Sequence, residues 1–283
     1  MKKIISLILT VLLISACGVL FSSCSESAPS IAVPNDTTNE ARALLLLEDN
    51  GIIKLRDGAG ITATIKDIEE NPYNINFKEV EAAQIPNILQ DVDYAIINSN
   101  YAISAGIDPT SDSLVIEGSS SAYSNILAVR EGDEQKDNIK ALVAALESQR
   151  VADFIKEKYA GAVISVVEQP TDGYDSSVDY AALSGSTITV AASPTPHAEI
   201  LKVAAEILSA RGITLKIVEY TDYVQPNNVV ETGGADANYF QHKPYLDDFN
   251  AENNTHLVSA AAIHVEPMGL YSDTHESIDD IKK

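Results

Sequence analysis

The chain alternates between short apolar runs and longer segments of helical periodicity, and this alternation constrains its fold more than any other feature. Strand-like runs occur near 31–33, 61–65, 75–80, 94–98, 126–129, 187–191 and 214–218. Between them, apolar residues recur three and four positions apart, as in Ile139, Leu142 and Leu146. The pattern predicts an α/β protein with mainly parallel sheets.

The predicted helices have clear start and stop signals. Thr37 and Glu40 are spaced as a capping box, and Asn50-Gly51 ends the helix that follows. Thr195, with Pro196 at the first helical position, predicts another helix start.

The first 24 residues read as an export signal. Lys2 and Lys3 precede an apolar run over 4–21, which polar residues follow. The two cysteines of the chain, Cys17 and Cys24, both lie at the end of this segment, and each follows small residues as at a lipoprotein cleavage site. We therefore predict that 1–24 is a lipoprotein signal and anchor, with lipid on Cys17 or Cys24. An uncleaved membrane span and an ordinary secretory signal are the less favoured alternatives.

The composition limits the size of the fold and the classes of partner that the chain can bind. The chain has 283 residues, 45% of them hydrophobic, which is enough for two domains or one large domain with a sizeable core. A formal net charge of -22 repels nucleic acid and anionic headgroups, so we exclude both as direct partners. No cysteine lies beyond Cys24, so the folded part has no disulfide and no thiolate metal site.

Aromatic residues are concentrated in one segment, 236–246. Tyr239, Phe240, His242 and Tyr245 fall within seven residues, although the chain has no Trp and only five Phe. Mixed with Asn and Gln, they indicate a pocket for a partly apolar, partly polar ligand. A strand-to-helix junction with aromatic core residues explains the segment equally well.

Three polar side chains are positioned to face a cleft. Arg42 lies near Asn39 in the first turns of the Thr37 helix, where a guanidinium can clamp a carboxylate; the alternative is a surface salt bridge. Asn98 and Asn125 flank apolar strands, where they face a cleft or serve as turn residues.

Catalytic and metal motifs are weak. Ser193 and His197 lie four positions apart, which a hydrolase would use as nucleophile and base, but no Gly-x-Ser-x-Gly elbow is present. We favour a helix-capping turn there. The five histidines show no helical His-x-x-x-His pair, and no glycine loop is suited to phosphate, so we expect no metal and no cofactor.

Several long motifs together resemble the NlpA-type methionine-binding lipoproteins of ABC importers. They are Pro34–Leu47, Glu81–Gln84, Ala95–Asn98, Ser193–Leu201, Tyr220–Asn227, Asp236–Leu246 and His264–Tyr271. The resemblance covers nearly all of the chain after the signal. It implies a two-lobed α/β binding protein with a ligand cleft between its lobes.

The order of the two halves is reversed relative to that family. The family's second half, about 31–167, precedes its first half, about 187–283, which indicates a circular permutation with 168–186 joining the usual termini. A rearranged tandem gene or a sequence-assembly artefact would give the same order. On the family template, 31–117 forms one lobe and 118–283 the other, with a single crossover near 117–119. One tether would allow two chains to exchange lobes as a swapped dimer.

The resemblance also implies a function and a set of binding residues. Arg42 pairs with the ligand carboxylate near Asn39, while Asn98 and Asn125 bind its polar end. The implied thioether wall consists of Tyr223, Phe240, His242 and Tyr245. The expected protein is lipid-anchored on the extracytoplasmic face of the cell membrane, where it captures methionine for an ABC importer permease without enzymatic activity. The alternatives are a binder of another amino acid or a methionine-containing dipeptide, a Ser193/His197 hydrolase, and a rearranged lipoprotein that binds nothing.

Overall fold

A computed structural model describes residues 28–118 and 121–283. The predicted signal segment 1–24, with Cys17 and Cys24, lies outside the described residues. Within the described ranges, no helix has the length and hydropathy that a membrane crossing requires.

The described part of the chain forms thirteen strands. In chain order they are β1 Ser30–Pro34, β2 Lys54–Leu55, β3 Ile68–Glu70, β4 Asn76–Val80, β5 Tyr94–Ile97, β6 Val115–Ile116, β7 Asn125–Arg130, β8 Ile164–Ser165, β9 Thr187–Ala192, β10 Thr214–Glu219, β11 Ala237–His242, β12 Leu257–Val265 and β13 Gly269–Tyr271.

Helices connect most of these strands. The α-helices are α1 Thr37–Asp49, α2 Ser99–Ser104, α3 Asp137–Leu146, α4 Gln149–Tyr159, α5 Tyr180–Leu183, α6 Glu199–Ser209, α7 Gln225–Glu231 and α8 Lys243–Asn253. Short 3₁₀ segments lie at Gly60–Thr62, Ile65–Asp67, Ala82–Asp91, Ser121–Tyr123, Asp133–Gln135 and Ile278–Lys282, and a π-helical turn at Pro194–Ala198 precedes α6.

Two mixed sheets define two α/β lobes, which confirms the predicted fold class. The first sheet has the order β4-β1-β5-β13-β6, and the second has the order β10-β9-β11-β7-β12-β8. Each sheet has two parallel strand pairs, among β4, β1 and β5 in the first and β10, β9 and β11 in the second, and its other pairs are antiparallel. The expectation of mainly parallel sheets was therefore wrong for about half of the strand pairs.

The lobe boundary predicted at 117/118 also requires correction. Strand β13 pairs with β5 and β6 of the first sheet, although it follows the last strand of the second sheet. Met268, Leu270 and Ile281 pack in the same hydrophobic core as Ile31 and Leu44. The chain therefore crosses between lobes twice, between β6 and β7 and again between β12 and β13, because the C-terminal segment buries its apolar side chains in the first lobe.

Two local predictions in the first lobe differ from the structure. The range 61–65 lies in 3₁₀ turns rather than a strand. Helix α1 is capped by Asp36 rather than Thr37, since the Asp36 carboxylate accepts the Asn39 N–H at 3.0 Å. A carboxylate accepts this bond more strongly than a hydroxyl and also complements the positive end of the helix.

The segment 168–186 is packed against the second lobe. Thr171 exchanges backbone hydrogen bonds with Glu147 and Gln149. Tyr174 and Tyr180 pack against the core, and the Arg211 guanidinium lies 4.1 Å and 5.3 Å from their ring centres. Its turn-rich composition predicted a linker, but its aromatic residues give it a fixed position.

Candidate functional site

A cavity between the lobes contains all eight predicted binding residues. It encloses about 360 Å³ of empty space, including the part open to solvent. The first lobe contributes Asn39, Arg42 and Asn98, and the second contributes Asn125, Tyr223, Phe240, His242 and Tyr245. Ser99, Asn100, Gln241 and Glu266 complete the lining. The two halves therefore enclose one crevice.

Asn39 connects the two lobes at this cavity. Its position is fixed by Asp36, whose carboxylate accepts from the Asn39 side-chain nitrogen at 2.8 Å. The Asn39 Oδ1 atom accepts from Asn98 Nδ2 at 2.8 Å and lies 3.4 Å from His242 Nε2. The Oδ1 of Asn98 is buried and has no hydrogen-bond partner among the described residues. Asn98 therefore presents an acceptor that a ligand can use.

Arg42 is a buried ion-pair residue. Its Nε lies 2.9 Å from both carboxylate oxygens of Glu117, and its Nη2 donates to Glu117 Oε2 and to the backbone carbonyl of Glu266, the latter at 2.7 Å. The guanidinium also lies 4.5 Å from the centre of the Tyr123 ring. The two-bond carboxylate clamp expected at Arg42 is thus formed with Glu117. No residue in 28–118 or 121–283 accepts a hydrogen bond from Nη1, which keeps two N–H groups for a ligand.

The ion pair also ties the two interlobe connections together. Glu117 lies directly after β6, at the first crossing, and its Oε2 accepts the Met268 backbone N–H at 3.1 Å. Met268 and Glu266 belong to the second crossing. Arg42 therefore links helix α1 to both segments in which the chain crosses between the lobes.

Aromatic side chains form one wall of the cavity. Phe240, Tyr245 and Phe249 make a buried cluster, and Tyr223 packs against it with ring-centre distances of 5.8 Å to both Phe240 and Tyr245. The Tyr245 hydroxyl donates to the Tyr223 carbonyl at 3.1 Å. These contacts hold the rings in place, so the wall is preformed.

His242 helps to shape this wall as a neutral side chain. It caps α8, where its Nδ1 accepts the Tyr245 N–H at 3.2 Å. Burial, together with the nearby charge of Arg42, lowers the pKa of His242 to about 3. An acceptor at Nδ1 leaves the proton on Nε2, which points toward Asn39.

A buried polar cluster lies beneath the cavity and reaches it through Asn125 and Glu266. His197 Nε2 lies 2.9 Å from Asn125 Oδ1 and 3.2 Å from Glu266 Oε1. His264 Nε2 lies 2.7 Å from the same Glu266 oxygen, and its Nδ1 is bonded to the Tyr239 hydroxyl. Burial lowers the pKa of both histidines to about 3, and it raises that of Glu266.

This cluster brings together a possible metal donor set that sequence spacing did not reveal. The ligand atoms of His197, His264 and Glu266 lie within 4.8 Å of one another. Two imidazoles and a carboxylate suit zinc. The separations within the cluster are those of hydrogen bonds, so we interpret it as a hydrogen-bonded network. The expected absence of a metal stays a prediction that metal analysis of the purified protein can test.

The structure does not support the hydrolase alternative. His197 points its Nε2 at Asn125 and Glu266, and both Ser193 and His197 are buried at 2% exposure or less. The Ser193 carbonyl accepts the Ala198 N–H at 3.0 Å, which is the capping turn that we favoured.

Sequence reasoning missed four lining residues. Asn100 accepts the Tyr223 hydroxyl at 2.7 Å and so bridges the lobes. Its position two residues after Asn98 was the available signal. Glu266 lies within the His264–Tyr271 motif, but nothing in the spacing showed that its side chain would turn into the cavity. Ser99 and Gln241 neighbour predicted residues.

Fold and site together define the class: a two-lobed α/β protein with a preformed cavity at the lobe interface, lined by carboxamides, aromatic rings and two opposite charges. The family model described as NlpA lipoprotein matches residues 25–167 and 188–283. The chain belongs to the NlpA lipoprotein family.

Individual relatives match about half of the chain. Membrane lipoprotein TpN32 of Treponema pallidum is 44% identical over 135 residues, covering 48% of this chain and 50% of that protein. D-methionine-binding lipoprotein MetQ of Escherichia coli is 38% identical over 141 residues, covering 49% and 52%. A nutrient-binding protein of Burkholderia cenocepacia, solved bound to methionine, is 47% identical with a TM-score of 0.46, covering 47% and 57%. The chain thus spans about half the length of the relatives that it matches.

Proposed function

We propose that this protein is a lipid-anchored binding protein that captures methionine and delivers it to an ABC importer. The observation that carries the proposal is an interlobe cavity that combines the Arg42 guanidinium with carboxamides and a wall of aromatic rings. The names of its family and relatives support the same function, since MetQ of Escherichia coli is named as a D-methionine-binding lipoprotein.

The cavity suits the two ends of methionine. The ligand carboxylate accepts from Arg42 Nη1, and a charge-assisted hydrogen bond of this kind contributes about 1.5–3 kcal/mol. The thioether lies among Tyr223, Phe240 and Tyr245, where each sulfur–ring contact adds about 0.3–1.5 kcal/mol. Asn98 and Asn125 bind the polar end of the ligand, and Asn39 and His242 support them.

Capture requires the lobes to close over the ligand and involves no covalent chemistry. Bonds between the lobes hold the enclosed form, including Tyr223 to Asn100 and the Tyr101 hydroxyl to the Thr221 carbonyl at 3.2 Å. The lipid on Cys17 or Cys24 keeps the protein at the extracytoplasmic face of the membrane, next to the permease.

Titration calorimetry on the purified protein tests this function. We expect one methionine to bind per chain, more tightly than other amino acids or a methionine-containing dipeptide. Tighter binding of another amino acid or of the dipeptide would favour the alternative binders. Absence of binding to the whole panel would favour the rearranged, non-binding lipoprotein.

Phe240→Ala tests the aromatic wall. The change removes a ring contact at the thioether, so we expect at least a roughly tenfold loss of methionine affinity. Phe154→Ala is the matched control, because Phe154 packs against the core of the second lobe without lining the cavity. Equal affinity losses in the two variants would contradict the assignment.

We also propose that the halves are circularly permuted relative to the family. Three observations support this: the family model leaves 168–187 unmatched, relatives align with about half the chain, and segments 28–29 and 281–283 line one surface cavity. Mass spectrometry of the native protein should find a peptide that joins residues before 167 to residues after 188. Peptides from unpermuted chains alone would refute the proposal.

The lobe-swapped dimer was predicted from a single tether. Because the chain crosses twice, an exchange of lobes would have to remove β13 from between β5 and β6. We therefore favour the monomer, and light scattering of the purified protein distinguishes the two states.

A further inference from the structure

Two carboxylates flank Arg42, and they have different surroundings. Glu117 makes the clamp with the guanidinium and does not line the cavity. Glu266 bonds Arg42 only through its backbone carbonyl; the residue lines the cavity, and its side chain keeps 6% exposure. Of the described residues that line the cavity, Glu266 is the only acid.

The Glu266 carboxylate is held in place by neutral donors. His264 and His197 approach Oε1 at 2.7 Å and 3.2 Å, and the backbone N–H of Asn100 favours the charged form of the same carboxylate. No lysine or arginine side chain among the described residues makes an ion pair with it. Burying a carboxylate in this way is costly unless a cation compensates it.

The cavity therefore carries one cationic group, the Arg42 guanidinium, and one carboxyl group, that of Glu266, whose buried charge a cationic group of a ligand would stabilise. Arg42 supplies the positive end, and His242 stays neutral because burial lowers its pKa to about 3. Asn98 Oδ1, an acceptor with no protein partner in the described part of the chain, adds a second site for an N–H donor. A ligand with both an anionic and a cationic group matches this arrangement.

We propose that Glu266 recognises the α-ammonium group of the ligand, so that the cavity selects zwitterionic amino acids with a free amine. His197 and His264 are positioning residues for that carboxylate. The proposal rests on the proposed methionine site and adds a chemical requirement to it: carboxylic acids without the amine, and amino acids with an acylated amine, bind weakly.

A pair of ligands and a pair of variants test this inference. The ligands are methionine and its des-amino analogue, the carboxylic acid with the same thioether chain. Losing the charge-assisted bond should weaken binding of the analogue to the wild-type protein about 10- to 100-fold. Glu266→Gln should weaken methionine binding by a similar factor and leave binding of the analogue nearly unchanged.

Glu117→Gln is the matched control. It makes the same chemical change on the other side of Arg42, outside the cavity lining. A general disturbance of Arg42 or of the hinge alters binding of both ligands in proportion, so this variant should keep the wild-type preference for methionine.

The outcomes separate the inference from the function on which it rests. If the wild-type protein binds neither ligand, the proposed function fails and the inference fails with it. If it binds methionine, but the des-amino analogue or N-acetylmethionine binds equally well, the inference is overturned and the function stands. The wild-type comparison decides this even if Glu266→Gln does not fold, and an equal loss for both ligands in a folded Glu266→Gln would assign Glu266 a purely structural role.

Discussion

At the scale of single residues, the cavity depends on side chains whose positions are set by other side chains. Asn39 is oriented by Asp36, Asn125 by His197, and Arg42 by Glu117. Such supporting contacts hold a binding group in one geometry and reduce the entropy that is lost when a ligand binds.

Tyr223→Phe tests the bond between the lobes at this scale. The change removes the hydroxyl that donates to Asn100 at 2.7 Å and keeps the ring. A neutral hydrogen bond contributes about 0.5–1.5 kcal/mol, so methionine affinity should fall about 2- to 12-fold in calorimetry. Tyr220→Phe, in a side chain that packs in the second lobe away from the cavity, should leave the affinity unchanged. Unchanged affinity in Tyr223→Phe would show that this bond does not help to hold the closed form.

At the scale of elements, much of the secondary structure was predictable because it depends on local patterns. Helices α3 and α4 and strands β9 and β10 follow their apolar periodicity closely. The secondary-structure predictions were wrong where contacts with distant parts of the chain determine the local structure. The range 61–65 is apolar, but it forms turns under α1, where the Ile65 N–H donates to the Glu40 carboxylate at 2.8 Å. The place of β13 depends on strand neighbours that are more than 150 residues away in the chain.

The segment 168–186 allows a test at this scale. Gly173 has a φ of +90°, and a Cβ there would lie 3.0 Å from Ile207 Cγ2 and 3.2 Å from Ser148 Cβ. Gly173→Ala should therefore lower the free energy of unfolding by about 2–4 kcal/mol, from backbone strain and overpacking together. Gly185→Ala is the control, since its φ of +83° is also positive but nothing lies within 4 Å of a Cβ. Gly185→Ala should lower the free energy of unfolding through backbone strain alone, by about 1–2 kcal/mol. Equal losses in urea denaturation would mean that the segment is not packed against the second lobe.

At the scale of the whole molecule, the chain crosses between its lobes twice, and Arg42, which lines the cavity, ties both crossings to α1. The eight binding residues predicted from the motifs that resemble the family all line one cavity in the structure, and their role in binding stays a prediction. The partners that orient them were not predictable. The link from Glu117 to Arg42 joins positions 75 residues apart, and the turn of Glu266 into the cavity depends on two histidines from separate motifs.

The buried histidines give the whole molecule a pH-dependent stability. Burial holds the pKa of His197, His242 and His264 at about 3, below the value of about 6.5 in the unfolded chain. Between these values the unfolded state binds more protons, so stability present above pH 6.5 is lost as the pH falls. The raised pKa values of Glu266 and Asp36 act in the opposite direction, from the ordinary pKa of a carboxyl group upward, because the folded state then binds more protons than the unfolded state.

Urea denaturation at pH 7.5 and pH 5.5 measures this effect. We expect the free energy of unfolding to be lower at pH 5.5, by about 1 kcal/mol for each buried histidine. His197→Gln should reduce the difference between the two pH values, whereas His256→Gln, at an exposed position, should not. A protein equally stable at both values would show that the three histidines are not held neutral in the fold.

The most direct test of the account is a crystal structure of the protein grown with methionine. We predict one methionine in the interlobe cavity, with its carboxylate on Arg42, its ammonium group on Glu266 and its thioether among Tyr223, Phe240 and Tyr245. Methionine bound elsewhere, or lobes that separate Arg42 from the aromatic wall, would contradict the account.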